Sequence, residues 1–194
     1  TINSLNPIYD SIKNKAANVL DKMNYYPSFK HDLVFESPDI NTHFSGYDGY
    51  PREKFVLGDV TILIEGAVYN KTIEQFKDEI AKAISDGHVN TDALKDIISN
   101  TDGEYVVYYI DKAKSFIAIF NDAMGRLPVY YYANNEGIII SRTMKFITGL
   151  LPSVYVNDYS MIEYFLFSVA LGNRTFFRDI YRMIPYTLIQ ISLT

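Results

Sequence analysis

The chain has 194 residues, 48% of them hydrophobic, with a formal net charge of -5 and a mean hydropathy of -0.05. That is enough apolar material for a sizeable core, while the longest apolar runs fall short of the roughly 20 residues of a membrane span. The charges are scattered without a Lys/Arg block, which excludes the footprint of a protein that grips phosphate backbones or anionic lipid. The sequence contains no cysteine, which removes disulfides, thiolate zinc sites and a thiol nucleophile from it. No secretory pattern opens it, so a cytoplasmic protein is expected, with neither nucleic acid nor membrane as partner.

The elements follow in chain order. Apolar residues Leu5, Ile8, Ile12, Ala16, Val19, Leu20 and Met23 recur at helical spacing and predict a helix over 4–23, with Asn6 and Pro7 as cap and first turn. The stretch from Tyr25 to Pro51 is broken by prolines and glycines and leaves room for short strands at 32–36 and 42–45. Strands at 54–57 and 59–67 meet at Gly58. Thr72 opens a helix that ends near Gly87, and a second runs from about Asn90 to Ser99, capped by Asn90 or Thr91. Strands at 103–110, 114–120, 128–133 and 137–141 predict a four-stranded antiparallel meander. Helices at 143–150 and 158–171 and a closing strand at 186–193 complete the series. The class is α+β: antiparallel sheets with helices on their outer faces. An α/β/β/α sandwich and a two-layer domain both satisfy the pattern.

Several residues have a structural reading of their own. Gly125 supplies a positive-φ turn, Pro128 starts an edge strand, and Asp122 suits an Asx turn. Tyr130, Tyr131 and Tyr132 are expected to alternate between core and surface. His31, His43 and His88 lie far apart in sequence and are read as ordinary side chains; no metal ligands are assigned.

Four ordered motifs carry a resemblance. Gly103 to Asp111, followed by Asn121-Asp122-Ala123-Met124-Gly125-Arg126-Leu127-Pro128-Val129-Tyr130-Tyr131, resembles the asparagine synthase family pattern G-E/D-F-A…D…RD-x-x-G-x-x-P-L-Y-Y. Glu65-Gly66-Ala67-Val68-Tyr69-Asn70 is similar to N-G-E-I-Y-N, and Gly172 to Ile180 is similar to G-x-x-T-L-F-x-x-I. Lys145 stands at the lysine of A-S-E-x-K-A. The resemblance implies one glutaminase-like domain over 1–194 with the N-terminal nucleophile hydrolase fold, an α/β/β/α sandwich of two antiparallel sheets flanked by helices.

In that family an N-terminal cysteine attacks the side-chain amide of glutamine with its own α-amine as base, and the Asn-Gly of N-G-E supplies an oxyanion donor. This chain departs from those requirements. Glu65 replaces the asparagine, an acceptor in place of a donor, and Ala67 replaces the glutamate that would hold the substrate ammonium. Asn90 stands for an aspartate, and the arginine-bearing R-L-A-I-x-D segment is missing, Arg52 being a poor substitute. Glu65, Gly66, Ala67 and Asn90 are therefore the pocket positions, degenerate, and Tyr69, Asn70, Asp122, Gly125 and Pro128 are scaffold. Thr1 precedes a helix and is not expected to be a nucleophile; no catalytic residue is assigned. The resemblance implies a vestigial domain of an ATP-dependent amide-forming ligase, with β-lactam and carbapenam synthetases similar in logic. It needs no cofactor itself; ATP and Mg belong to a synthetase domain absent from this sequence. The expected partners are that domain, in cis or in trans, and a second copy in a homodimer. A docking module of the same fold, and an active glutaminase with its cysteine upstream of Thr1, are compatible with the same residues.

Overall fold

The computed structural model describes residues 7–23, 28–36, 40–135 and 137–192. Thr1 and Asn6 lie outside them, as does the side chain of His31. In chain order the elements are α1 (Pro7–Lys22), β1 (Phe29–Glu36), β2 (Asn41–Tyr47), β3 (Arg52–Leu57), β4 (Val60–Val68), α2 (Ile73–Ala83), β5 (Ile84–Ser85), β6 (His88–Val89), α3 (Thr91–Ser99), β7 (Gly103–Asp111), β8 (Phe116–Asn121), β9 (Tyr130–Asn134), β10 (Gly137–Ser141), α4 (Met144–Leu150), α5 (Asp158–Phe167), β11 (Ile180–Arg182) and β12 (Leu188–Ser192). The named strands pair antiparallel throughout. This is the predicted α+β class, and antiparallel sheets with five helices are compatible with the N-terminal nucleophile hydrolase-like sandwich.

The chain forms two compact units, one within Pro51–Leu127 and Ile184–Thr194, the other within Thr1–Tyr50 and Pro128–Met183. The first is a five-stranded sheet in the order β12-β8-β7-β4-β3 with α2 and α3 on one face. Strand alternation makes that face. Ile62 and Ile64 of β4, Tyr105, Val107 and Tyr109 of β7 and Phe116, Ala118 and Phe120 of β8 pack against Phe76 and Ile80 of α2 and Leu94 and Ile98 of α3. Thr72 caps α2 in a reciprocal capping box with Gln75 (3.2 and 3.0 Å), and the Asn90 side chain caps α3 by accepting from the Ala93 N–H (3.1 Å).

The second unit holds the β1–β2 hairpin, a three-stranded sheet in the order β10-β9-β11, and α1, α4 and α5. Lys15 of α1 donates to the Leu150 and Leu151 carbonyls (2.8 and 3.3 Å), a cation on the carbonyl end of α4. Gly149 lets the two helices close up, since a Cβ there would sit 2.8 Å from Val19 Cγ1.

Three sequence expectations are corrected. The four-stranded meander does not form, because β7–β8 belong to the five-stranded sheet while β9–β10 pair with β11 elsewhere. The Asp122 turn and the segment to Pro128 end one sheet rather than joining neighbours within it, something strand periodicity does not register. The first helix of the pair stops at Ala83, not near Gly87, because Ile84 takes up extended dihedrals and a short β5–β6 hairpin turns through Asp86 (φ 51) and Gly87 (φ 70). The 158–171 helix ends at Phe167, where Ser168 turns left-handed (φ 61).

Candidate functional site

β4 and its neighbours place Glu65, Gly66 and Ala67 side by side. Glu65 lies directly across from Arg52 of β3 and from Val106 of β7, Gly66 from Tyr105, and Ala67 from Glu104. Glu65 and Ala67 alternate with Ile64 and so point away from the helices. Opposite charges facing each other across an antiparallel pair stabilise it, which gives Glu65 a structural partner in Arg52.

Gly66 is the tightest point of the segment. Its φ is +102, and a Cβ would fall 1.9 Å from the Glu104 carbonyl oxygen and 2.8 Å from Leu127 Cδ1. Only glycine fits. Its N–H donates to the Pro51 carbonyl at 2.9 Å. The backbone donor that the motif would aim at a developing oxyanion is thus already engaged, and the side chain before it is an acceptor.

Asn90 is not brought to these residues. Its N–H donates to the Ala83 carbonyl and its side chain caps α3. The other end of α3 lies by β4, where Asp102 accepts from the Tyr69 N–H (2.8 Å) and Asn100 from the Asn70 side chain (2.9 Å). A helix of nine residues, roughly 13 Å long, separates Asn90 from that end. Tyr69 and Asn70 tie the end of β4 to the segment after α3: Asn70 also accepts from the Asp102 N–H (3.0 Å), and the Glu104 carboxylate, accepting from the Tyr69 hydroxyl, holds that phenol above its ordinary range.

Asp122 is buried and organises the turn after β8. Its Oδ1 accepts from the Met124 N–H (2.8 Å), its Oδ2 from those of Arg126 (3.2 Å) and Tyr105 (3.4 Å), and its own carbonyl from Gly125 and Tyr186. The preceding Asn121 donates to the Ile184 carbonyl and accepts from the Thr187 N–H, both at 2.9 Å. Gly125 (φ +58) passes Pro185 so closely that a Cβ would meet its Cα at 3.1 Å. In the other unit, Pro128 does not start an edge strand as expected: its carbonyl accepts from Arg142 (2.9 Å), the buried Val129 follows, and β9 begins at Tyr130 between β10 and β11. Thr175, within the last motif, is buried with its hydroxyl on the Ile180 carbonyl (2.7 Å). Sequence reasoning gave no individual role to Pro51, Glu104 or Thr175; Glu104 and Thr175 lie within the quoted motifs, whereas Pro51 lies in none.

Lys145 lines an open cleft of about 470 Å³ with Arg142, Tyr130, Met144, Thr148 and Phe177. Among the described residues no group of three or more His, Asp or Glu is placed to hold a metal ion, and no helix is long and apolar enough to cross a membrane.

The antiparallel α+β architecture is compatible with a glutamine amidotransferase-type domain. The glutamine amidotransferase domain family matches over residues 55–193, and the chain belongs to that family. No curated protein matches it.

Proposed function

We propose that this is the vestigial glutaminase-type domain of an asparagine synthase-like, ATP-dependent amide-forming ligase, and that it releases no ammonia itself. The observation that carries the reading is the Gly66 N–H held by the Pro51 carbonyl at 2.9 Å beside Glu65 and Ala67: donor and ammonium acceptor are both missing where glutamine would react. The asparagine synthase kinship is supported by the ordered motifs from Glu65 to Ile180. In such a ligase a synthetase domain, in cis or in trans, activates a carboxylate with ATP and Mg, and an amine displaces AMP. This domain takes part as scaffold, in the cytoplasm. Calorimetric titration with L-glutamine, run beside an ammonia-release assay, tests the reading. Neither binding nor release is expected, and either one above background overturns it.

A further inference from the structure

We propose that the cleft beside α4 and β9 binds a phosphate monoester carried on a flat ring. Its volume of about 470 Å³ lies in the range of small-molecule sites. Among the described residues its lining holds two cations, Arg142 and Lys145, and no carboxylate. The Arg142 guanidinium is oriented by its bond to the Pro128 carbonyl (2.9 Å). Lys145 is exposed and stands in the first turn of α4, where an acid and not a cation stabilises a helix; that turn holds no acid. The Thr143 hydroxyl, between them in sequence, accepts from the Lys145 N–H (3.3 Å) and so keeps its own proton to donate.

Charge and donor count select the anion. A phosphate monoester carries a charge of about -2 near neutral pH, which two cations match, and Arg142, Lys145 and Thr143 supply donors for its three peripheral oxygens. A carboxylate has half that charge on two oxygens, and a nucleic acid backbone needs a longer run of cations. The walls select the ring. Tyr130 and Phe177 line the cleft. Tyr130 is held in register between Ser141 and Arg182, and Phe177 donates its N–H to the buried Thr175 hydroxyl (3.2 Å). Aromatic faces gain from a flat ring beyond the area they bury, and Met144 beside them is an adaptable wall. The cleft lies in the unit that does not hold Glu65, Gly66 and Ala67, so the inference is independent of whether that segment is vestigial.

Calorimetric titration of the chain with phenyl phosphate, inorganic phosphate and benzoate is the test. Phenyl phosphate should bind with a submillimolar Kd, at least fivefold tighter than either of the others. Lys145→Gln should weaken it at least fivefold, whereas Lys82→Gln, at an exposed lysine of α2, should leave it unchanged. Phe177→Leu should bring phenyl phosphate down to the affinity of inorganic phosphate. Circular dichroism melts establish that each variant is folded at the titration temperature. No binding of phenyl phosphate at about 10 mM, equal affinity for benzoate or inorganic phosphate, or equal losses in Lys145→Gln and Lys82→Gln overturns the proposal. Titration with glutamine bears on none of these outcomes.

Discussion

Replacing Asp122 separates a scaffold carboxylate from a catalytic one. Asp122 is 1% exposed, and both its oxygens are used: Oδ1 takes the Met124 N–H, Oδ2 takes that of Tyr105, and the Arg126 N–H is shared between them, nearer Oδ2. Hydrogen bonds to a charged acceptor contribute about 1.5–3 kcal/mol each. The Arg126 and Tyr105 bonds are long, and Met124 is exposed enough for water to replace the acceptor, so Asp122→Ala is expected to cost about 3 kcal/mol. Asp122→Asn is the sharper probe. An Asx turn made through Oδ1 alone would accept asparagine freely, but here the amide NH2 faces two N–H donors, and a loss of roughly 1–2 kcal/mol follows. Urea unfolding at constant m-value measures both. An Asp122→Asn variant as stable as the parent would refute the two-oxygen role, and an Asp122→Ala cost below about 1 kcal/mol would show that the turn does not depend on the carboxylate.

Gly66→Ala should destabilise by about 3 kcal/mol or more through positive-φ strain and collision with the Glu104 carbonyl; a thermal shift of only a degree or two would contradict the close approach. Tyr105 has a buried hydroxyl without a hydrogen-bond partner among the described residues, the Thr101 hydroxyl lying near but bonded to Ile97. Burial, and then the Asp122 charge, pushes its phenol up. The folded protein keeps this proton above about pH 10, where the unfolded chain loses it, so stability is present below that pH and falls as pH rises beyond it. Tyr105→Phe should leave stability at pH 7 equal or slightly raised and make the alkaline fall shallower in thermal melts. Restoring the motif with Glu65→Asn and Ala67→Glu together should still give no glutamine binding by calorimetry, because the Pro51 carbonyl keeps the Gly66 N–H; measurable affinity would show that side chains alone had closed the site.

Periodicity and capping chemistry made most of the elements legible. The α2 and α3 starts at Thr72 and Asn90 were readable because an N-cap is a local bargain between one side chain and the next turn. The hairpins around Gly58 and at Asn134–Gly137 were readable for the same reason. Sheet membership was not, since β9 alternates no differently from a strand that continues the first sheet, and its true partner β11 is three residues long. At the site, the sequence itself shows an acid at 65 and an alanine at 67. Arg52 looked like a poor substitute for a missing arginine, and only strand register sets it opposite Glu65. The Gly66–Pro51 bond was also invisible, as it depends on the path of β3.

The two glycine-bearing motifs have fared differently for a physical reason. In Asn121 to Gly125 the polar groups are bound by the protein's own backbone, with Asn121 clipping residues 184–187 and Asp122 closing the turn. Replacing either side chain leaves buried donors unmatched and costs stability whether or not any substrate binds. In Glu65 to Ala67 the close approach of the Glu104 carbonyl admits only glycine at 66, and Glu65 faces Arg52 across the β3–β4 pair. An acid opposite Arg52 is favourable to the β3–β4 pair. The backbone therefore demands glycine at 66 whatever binds there, and the proposed loss of glutaminase activity is the condition under which positions 65 and 67 change while Gly66 stays.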